Sequence, residues 1–204
     1  MLYPENIHEI ERHLGLLYHL EIPSAGTHLE FPIFDEDTRS LGECGFPFAK
    51  NTYVCIHAGS RGSYRQWPPE NFAAAGNLCA EYGLRLVLTG TAAERPIVDK
   101  VIEHLNYPFF DACGLTGIGG VAQLIKEAAL IVCNCTGVSH IAAAVKTPGI
   151  IISMDGEPER WGPLDKQLHK TINWLETPDL GLVLLQLIKL IKMRESIGAY
   201  QPDC

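Results

Sequence analysis

The fold is decided by residues 53–90, which read YVCIHAGSRGSYRQWPPENFAAAGNLCAEYGLRLVLTG. The runs YVCIHA and LRLVLTG have the length and apolar content of buried β-strands. Between them, PPENFAAAGNLCAEYG has the composition of a helix, with Pro69 in its first turn and Gly83 at its end. A strand, a helix and a second strand in this order predict a βαβ unit with parallel strands.

The same alternation continues towards the carboxyl end of the chain. The pattern predicts helices at about 93–105, 120–127 and 138–145, and strands at 108–111, 129–134, 149–153 and 169–172. Strands that alternate with helices form parallel sheets whose two faces are both covered. The sequence therefore predicts an α/β domain with a doubly wound parallel sheet over residues 51–177.

On the amino-terminal side, residues 1–50 are predicted to form a helix followed by a linker. The helix is predicted from apolar side chains at helical spacing, which are Ile7, Ile10, Leu14 and Leu17. Residues 21–50 are rich in proline, glycine and acidic side chains. This part is therefore interpreted as an extended interdomain linker or an edge segment.

The carboxyl-terminal segment, residues 178–204, is predicted to be an amphipathic helix followed by a tail. Its apolar stripe is formed by Leu182, Leu185, Ile188 and Ile191. The stripe is expected to pack on this domain or on a partner domain, and an exposed stripe predicts association into a homo-oligomer. A membrane-surface helix is a weaker alternative, because the segment has few basic residues.

Composition excludes several classes of protein. Apolar residues form 47% of the chain and charged residues 20%, which excludes extended disorder. The net charge of −8 argues against general nucleic-acid binding, which needs a basic face. The longest apolar stretch, Leu180–Ile188, is too short to span a membrane, and the first residues lack a secretory signal pattern. Seven cysteines without CxxC spacing indicate reduced thiols and a cytoplasmic protein.

Three loops follow predicted strands at the edge where parallel α/β sheets bind ligands. The first, HAGSRGSYRQWPPE, combines glycines with the hydroxyls of Ser60 and Ser63. Arg61 and Arg65 add two positive charges, a pattern that suits a phosphate or diphosphate. The alternative is a solvated loop with incidental arginines. Trp67, which precedes two prolines, is predicted to be a packing anchor.

The other two loops carry a carboxylate and a helix start. Glu94 in LTGTAAER lies where a helix begins, so it either caps that helix or accepts hydrogen bonds from a ribose diol. In VCNCTGVSHIAAAV, Thr136 and Gly137 form a turn before a helix whose first amides are free to bind an oxyanion or a phosphate. His140, on the first turn of that helix, either faces the ligand or is a structural residue.

Cys133 and Cys135 admit two further interpretations. Together with His140 they make at most three zinc ligands and no fourth is evident, so no metal site is predicted. Cys135 precedes a helix amino terminus, which would lower the pKa of its thiol and favour a nucleophile. No base can be named for such a nucleophile from the sequence, which disfavours this hypothesis.

Read in order, these loops resemble glycosyltransferase family 9, the ADP-heptose:lipopolysaccharide heptosyltransferases and their relatives. The resemblance rests on HAGSRGSYRQWPPENFAAA (57–75), LRLVLTGTAAER (84–95), LIVCNCTGVSHIAAAVKTPGIII (130–152) and DGEPERWGP (155–163). In addition, HEIERHLGLLYHLEIP is similar to the segment that joins the family's two domains. The resemblance implies the GT-B architecture, in which two Rossmann-like domains face each other, and it covers the C-terminal, donor-binding domain.

The resemblance also implies site residues. Ser60 and Arg65 are similar to the residues that hold the donor diphosphate, with Gly59 and Arg61 beside them in the same loop. Glu94 resembles the carboxylate that meets the nucleotide ribose.

The third loop resembles the turn and helix start that meet the diphosphate and the sugar, through Thr136, Gly137 and His140. Cys135 is counted with this donor site, but it stands where the family usually has Asp. A thiol is a poorer hydrogen-bond partner for sugar hydroxyls than a carboxylate.

The implied reaction is transfer of a sugar, heptose being one candidate, from a nucleoside-diphosphate sugar to a lipopolysaccharide-type acceptor with inversion. An ADP-sugar is the favoured donor, and no cofactor or metal is expected. The base would lie on an N-terminal domain that the resemblance does not cover, so no catalytic residue is assigned and the chain alone is expected to be inactive. Peripheral attachment at the inner face of the membrane is consistent with such an acceptor. The alternative function is a non-catalytic module that binds nucleotide sugars or docks on a partner.

Overall fold

The computed structural model describes residues 4–5 and 7–198. Its centre is a parallel sheet with strands β1 (Tyr53–His57), β2 (Arg85–Thr89), β3 (Phe109–Asp111), β4 (Leu130–Asn134), β5 (Gly149–Ser153) and β6 (His169–Asn173). The helices are α1 (Glu9–His19), α2 (Asp35–Glu43), α3 (Pro69–Glu81), α4 (Arg95–Ile102), α5 (Ile118–Glu127), α6 (Gly137–Ala144), α7 (Pro158–Trp161) and α8 (Leu180–Gly198). The ends of the predicted amino-terminal segment and tail, residues 1–3 and 199–204, lie outside the described residues.

The strand order is β3-β2-β1-β4-β5-β6, and every neighbouring pair is parallel. In the register of the sheet, His57 at the end of β1 pairs with Thr89 of β2 and with Cys133 of β4. From β1 the chain adds strands on one side of the sheet, as far as β3, and then crosses back to add β4, β5 and β6 on the other side of β1. The order in which strands are added therefore reverses between β1 and β4. Such a reversal opens a crevice at the carboxyl ends of the strands, which is where ligands bind in this class of fold.

Helices cover both faces of the sheet, so the predicted doubly wound α/β fold is confirmed. Alternate residues of β1 enter two separate cores, because successive side chains of a strand point to opposite faces. Val54 and Ile56 pack with residues of α3 and α8 on one face. Tyr53 and Cys55 pack with residues of α5 and α6 on the other face.

The prediction of an extended segment over residues 21–50 is wrong in one part, because α2 is a helix there. Its first turn is capped by Asp37, whose carboxylate accepts a hydrogen bond from the backbone N–H of Phe34 at 2.9 Å. Leu41 is its only buried residue, and the helix packs against α5. A short polar helix with one buried apolar side chain has too little hydrophobic periodicity to be recognised from the sequence. It forms because packing against a neighbouring helix stabilises it.

The helix predicted near the carboxyl end is present as α8, but its predicted apolar stripe is only partly right, since Ile191 is buried as predicted and Leu185 is not. The buried side chains are Val183, Leu187, Leu190 and Ile191. Leu185, which was assigned to the stripe, is 49% exposed. Since the buried residues pack into the core beneath β5 and α3, the expected exposed stripe that would drive self-association is not found in the described part of α8.

Nine of the twelve residues from 180 to 191 are apolar, and hydrophobic spacing alone does not choose between two overlapping stripes. None of the described helices has the length and apolar character needed to cross a membrane. The division of the chain at residues 50 and 177 remains a prediction.

Candidate functional site

The loop after β1 is held in place by the side chain of Asn134, the last residue of β4. Its Oδ1 accepts a hydrogen bond from the backbone N–H of Trp67 at 3.0 Å. Its Nδ2 donates to the carbonyl oxygens of Ala58 at 2.9 Å and Gly59 at 3.3 Å. Asn134 is fully buried, so these bonds fix the two ends of the loop against the crevice between β1 and β4.

Ser60 lies at the base of this loop with its hydroxyl unsatisfied. The residue is 8% exposed, and its Oγ has no hydrogen-bond partner within the described residues. Its backbone carbonyl accepts a hydrogen bond from Gln66 Nε2 at 3.2 Å. A buried hydroxyl without a partner loses free energy unless a water or a ligand supplies one. Arg61 follows on the exposed side of the loop.

Arg65 reaches across the crevice towards the loop after β5. Its Nε lies 3.5 Å from Oδ2 of Asp155, without the geometry of a hydrogen bond to any described residue. The Asp155 carboxylate is 9% exposed and accepts a hydrogen bond from Ser153 Oγ at 2.8 Å. The guanidinium of Arg65 is half-exposed and keeps N–H donors available for a further anion.

Glu94 is confirmed as a capping residue at the helical turn after β2. Its Oε2 accepts hydrogen bonds from the backbone N–H and the hydroxyl of Thr91, at 2.8 and 2.9 Å. Its carboxylate lies against the Cα of Gly59, where a Cβ would overlap with it. A side chain at position 59 would therefore displace the Glu94 carboxylate from its present position. The Glu94 side chain is 16% exposed and faces the crevice.

His57, the last residue of β1, lies beneath Glu94. Its Nδ1 is 3.0 Å from the hydroxyl of Thr89, and its Nε2 is 3.9 Å from Glu94 Oε2. Burial lowers the pKa of the imidazole, although the neighbouring carboxylate acts in the opposite direction. The ring is therefore neutral at physiological pH.

The amino terminus of α6 forms the far wall of the crevice. Thr136 is the residue before the helix, and no side chain caps the first amides. Thr136, Gly137 and Val138 at this helix start line the same cleft as Arg65. His140 lies half-buried in the wall, and burial is the main cause that lowers the pKa of its imidazole, with the nearby His8 as a second cause.

Together these elements enclose a cleft of about 800 Å³ at the carboxyl edge of the sheet. The cleft is lined by seven of the predicted site residues, which are Ser60, Arg61, Arg65, Glu94, Thr136, Gly137 and His140. Two predicted residues, Gly59 and Cys135, are absent from its lining. Gly59 lies behind Glu94, and Cys135 is buried in the core shared with α6.

The hypothesis that Cys135 is an activated nucleophile is wrong. Burial and the carboxylate of Asp155 raise the pKa of its thiol to about 11, which outweighs the effects of Ser139 and of nearby positive charges. Cys135 precedes the helix amino terminus as expected, but its side chain points into the core. Among the described residues, no group of three or more His, Cys, Asp or Glu side chains is arranged to hold a metal ion.

We expect Cys135 to resist alkylation in the folded chain. With a pKa of about 11, roughly 1 thiol in 3,000 is ionised at pH 7.5. Iodoacetamide treatment followed by peptide mass spectrometry should leave Cys135 unmodified in buffer and fully modified in 6 M urea. Half-exposed Cys44 is the internal control and should react in both conditions. Rapid modification of Cys135 in buffer would contradict its buried placement.

Trp67 is the packing anchor that the sequence predicts. Its side chain is fully buried, with ring contacts of 5.0 Å to Phe72 and 5.3 Å to Trp174. Sequence reasoning missed His57 and Asn134, which were seen only as strand ends. A histidine and an asparagine that end neighbouring buried strands are the signal that could have found them.

The segment that precedes α2 also forms part of the cleft lining. Leu29, Glu30 and Phe31 line one side of it, although this segment was interpreted as a linker. On the same side, Thr116 and Ile118 contribute the start of α5. The cleft thus combines a polar floor with an apolar wall, which is typical of small-molecule sites.

Comparisons with known proteins agree with this architecture. The model of Glycosyltransferase family 9 (heptosyltransferase) matches residues 3–181. Lipooligosaccharide heptosyltransferase 2 of Haemophilus ducreyi is 28% identical over 112 residues, which are 52% of this chain and 32% of that protein. Across the curated relatives that it matches, the chain spans about a third to a half of their length.

Two solved structures share the fold. The glycosyl transferase family 9 protein from Veillonella parvula superposes with a TM-score of 0.79 at 17% identity, over 95% of this chain and 62% of that one. The E. coli heptosyltransferase WaaC with ADP gives a TM-score of 0.65 at 20% identity, over 93% of this chain and 59% of that one. At these identities the likeness concerns the fold alone.

Proposed function

We propose, from the premise that this chain belongs to glycosyltransferase family 9, that its cleft binds the nucleoside diphosphate of a nucleotide-sugar donor. The chain is heptosyltransferase-like, and its sheet has the architecture of one half of a GT-B enzyme. In this proposal residues 51–177 form the donor-binding domain. Residues 1–50 connect it to a second domain, and residues 178–204 are assigned as the carboxyl-terminal helix and its tail.

The buried hydroxyl of Ser60 is the observation that carries the proposal. Its Oγ has no partner among the described residues, and Ser60 lines the same cleft as Arg61 and Arg65. Arg65 lines the same cleft; its Nε faces Asp155, and the rest of its guanidinium keeps N–H donors available. An unsatisfied hydroxyl and a guanidinium beside a helix amino terminus match the acceptor oxygens of a diphosphate.

Each side chain has a defined part in the proposed reaction. Negative charge develops on the diphosphate as the bond to the sugar breaks. Arg61, Arg65 and the Ser60 hydroxyl would stabilise that charge, together with the first amides of α6 at Thr136 and Gly137. The loop that carries Ser60, Arg61 and Arg65 is held in place before the reaction by Asn134, so little reorganisation of this loop is needed.

The remaining cleft residues would position the sugar nucleotide. Glu94 and His140 both line the cleft. In this proposal Glu94 would accept hydrogen bonds from the ribose hydroxyls, and His140 would contact the region where the sugar joins the diphosphate. We propose that a base on a facing domain deprotonates the acceptor hydroxyl and that the sugar is transferred with inversion. A lipopolysaccharide-type acceptor, an ADP-sugar donor and a cytoplasmic enzyme near the membrane would fit the relatives, one of which was solved with ADP.

The proposal is tested by calorimetric titration of the 204-residue chain with ADP, UDP and GDP. We expect saturable binding of one nucleotide, with ADP favoured. Arg65→Ala should weaken that binding about ten-fold or more, because a charge-assisted contact to phosphate is lost. Ser60→Ala should weaken it about five-fold through the loss of one hydrogen bond. Arg39→Ala removes the same charge from exposed α2 and should change the affinity less than about two-fold.

Equal losses in Arg65→Ala and Arg39→Ala would show that only net charge matters and would contradict the assigned site. No binding of any of the three nucleotides would contradict donor binding itself. The partner-docking alternative would then be the better account of the chain.

A further inference from the structure

The cleft combines its arginines with an equal number of carboxylates. The charged side chains of its lining are Glu30, Arg61, Arg65 and Glu94, and their formal charges cancel. Burial lowers the pKa values of His57 and His140, so neither imidazole adds a positive charge at neutral pH. The lining therefore offers donors to an anion without a net positive charge, and the charge that a ligand carries affects how tightly it binds.

Asp155, in the loop after β5, adds a fixed negative charge next to Arg65. Its Oδ1 accepts hydrogen bonds from Ser153 Oγ at 2.8 Å and from the backbone N–H of Glu157 at 3.3 Å. Its Oδ2 faces Arg65, and the residue itself is absent from the lining of the cleft. The carboxylate is largely buried, so these hydrogen bonds hold it in place and little water screens its charge.

The contact between Asp155 and Arg65 is an ion pair without a hydrogen bond. Oδ2 lies 3.5 Å from Nε, and Nε has no hydrogen-bond partner among the described residues. Such a pair does not fix the orientation of a guanidinium as two parallel hydrogen bonds would. Asp155 therefore affects the site mainly through its charge, and removal of that charge should matter more than removal of the contact.

The electrostatic field of Asp155 reaches the part of the cleft where the diphosphate is proposed to bind. After burial, its carboxylate is the next cause that raises the pKa of the Cys135 thiol, which lies directly before the start of α6. A phosphate oxygen bound to the terminal N–H groups of Arg65 would lie roughly 6–8 Å from the carboxylate. This separation is within about one Debye length at physiological salt, so solvent ions do not remove the repulsion.

On the basis of the proposed function, we propose that Asp155 is a specificity-determining residue that makes the cleft favour the nucleotide sugar over the free nucleoside diphosphate. At pH 7.5 a diphosphate bonded at both ends carries less negative charge than a free one, whose terminal phosphate has a second pKa of about 6. The repulsion by Asp155 grows with this charge. Once the sugar has been transferred, the product is repelled more strongly than the donor, so a new donor replaces it more readily.

The test compares the calorimetric affinities of ADP and ADP-glucose for the 204-residue chain and for Asp155→Asn. The corresponding UDP or GDP pair is used if that nucleotide binds more tightly. The asparagine amide keeps an oxygen for Ser153 and Glu157 but removes the charge. At the separation given above, removal of the charge changes the affinity roughly three- to ten-fold for each unit of ligand charge. We expect both ligands to bind Asp155→Asn more tightly, with ADP gaining about three-fold or more over ADP-glucose.

Asp179→Asn is the matched control. Asp179 is exposed, lies outside the lining of the cleft and accepts a hydrogen bond from the backbone N–H of Leu182 at 3.2 Å. It loses the same charge and should change each affinity less than about two-fold. Asp155→Ser is a second neutral variant and should show the same preference as Asp155→Asn. Urea unfolding identifies any variant that is not folded.

Salt separates an effect of charge from an effect of altered structure. At about 0.5 M salt, screening should reduce the gain of ADP over ADP-glucose in Asp155→Asn. A gain caused by a rearranged loop would not fall in this way and would contradict the inference.

Weaker binding of both ligands by Asp155→Asn would overturn the inference and show that Asp155 positions Arg65 instead. An equal change for the two ligands would also overturn it, and so would an equally large effect of Asp179→Asn. In each of these cases nucleotide binding itself remains, so the proposed function stands. Absence of nucleotide binding by the original chain would contradict both proposals.

Discussion

Replacement of Asn134 by alanine is expected to lower the free energy of unfolding by about 3 kcal/mol and to weaken nucleotide binding about ten-fold or more. The substitution leaves the N–H of Trp67 and the carbonyl oxygens of Ala58 and Gly59 without their partner. Each buried group that loses its partner costs about 1–3 kcal/mol. The loop that carries Ser60 and Arg65 would also lose its attachment to β4.

Asn173→Ala is the matched control for this prediction. Asn173 ends β6 as Asn134 ends β4, but its Oδ1 has no hydrogen-bond partner among the described residues. We expect it to cost less than about 1 kcal/mol. Urea unfolding curves give the free energy of unfolding, provided that the variants share the same dependence on urea concentration (m-value). Titration with ADP gives the affinity. Equal destabilisation by the two substitutions would mean that the Asn134 hydrogen bonds do not hold the loop.

Replacement of Leu187 by alanine is expected to destabilise the chain by about 2–5 kcal/mol. Leu187 is fully buried in the core formed with α3 and the sheet, so truncation leaves a cavity as well as losing apolar contacts. The same truncation at Leu185, which is 49% exposed, should cost less than about 0.5 kcal/mol. The two residues are on one helix and lose the same atoms. The difference between their losses of stability therefore shows which face of α8 is buried.

Thermal and urea unfolding of the two variants measure this difference. If Leu185→Ala were the more destabilising change, the stripe predicted from the sequence would be right and the placement of α8 wrong. Light scattering after size-exclusion chromatography of both variants adds an independent check. Because the buried stripe packs within the domain, neither substitution is expected to change the molar mass of the particle.

The sequence by itself determined the fold and the family. Short apolar runs separated by helical segments predict a parallel sheet with helices on both faces, and this doubly wound sheet is found, with its central strands β1, β4 and β5 fully buried. The loops at the carboxyl ends of the strands were also recognisable, because parallel strands bring those loops together. For that reason Ser60, Arg65, Glu94 and Thr136 line one cleft, as their positions after the strands predict.

Only the tertiary structure decided which side chains face that cleft and which helix faces are buried. Cys135 and Thr136 are adjacent in the chain, yet one points into the core and the other into the cleft. The phase of α8 depends on its contact with α3, and the pairing of His57 with Thr89 and Glu94 depends on the register of β1 with β2. These are contacts between residues distant in sequence, and local periodicity carries no information about them. Secondary structure follows from local pattern, whereas the orientation of a side chain at a site follows from packing.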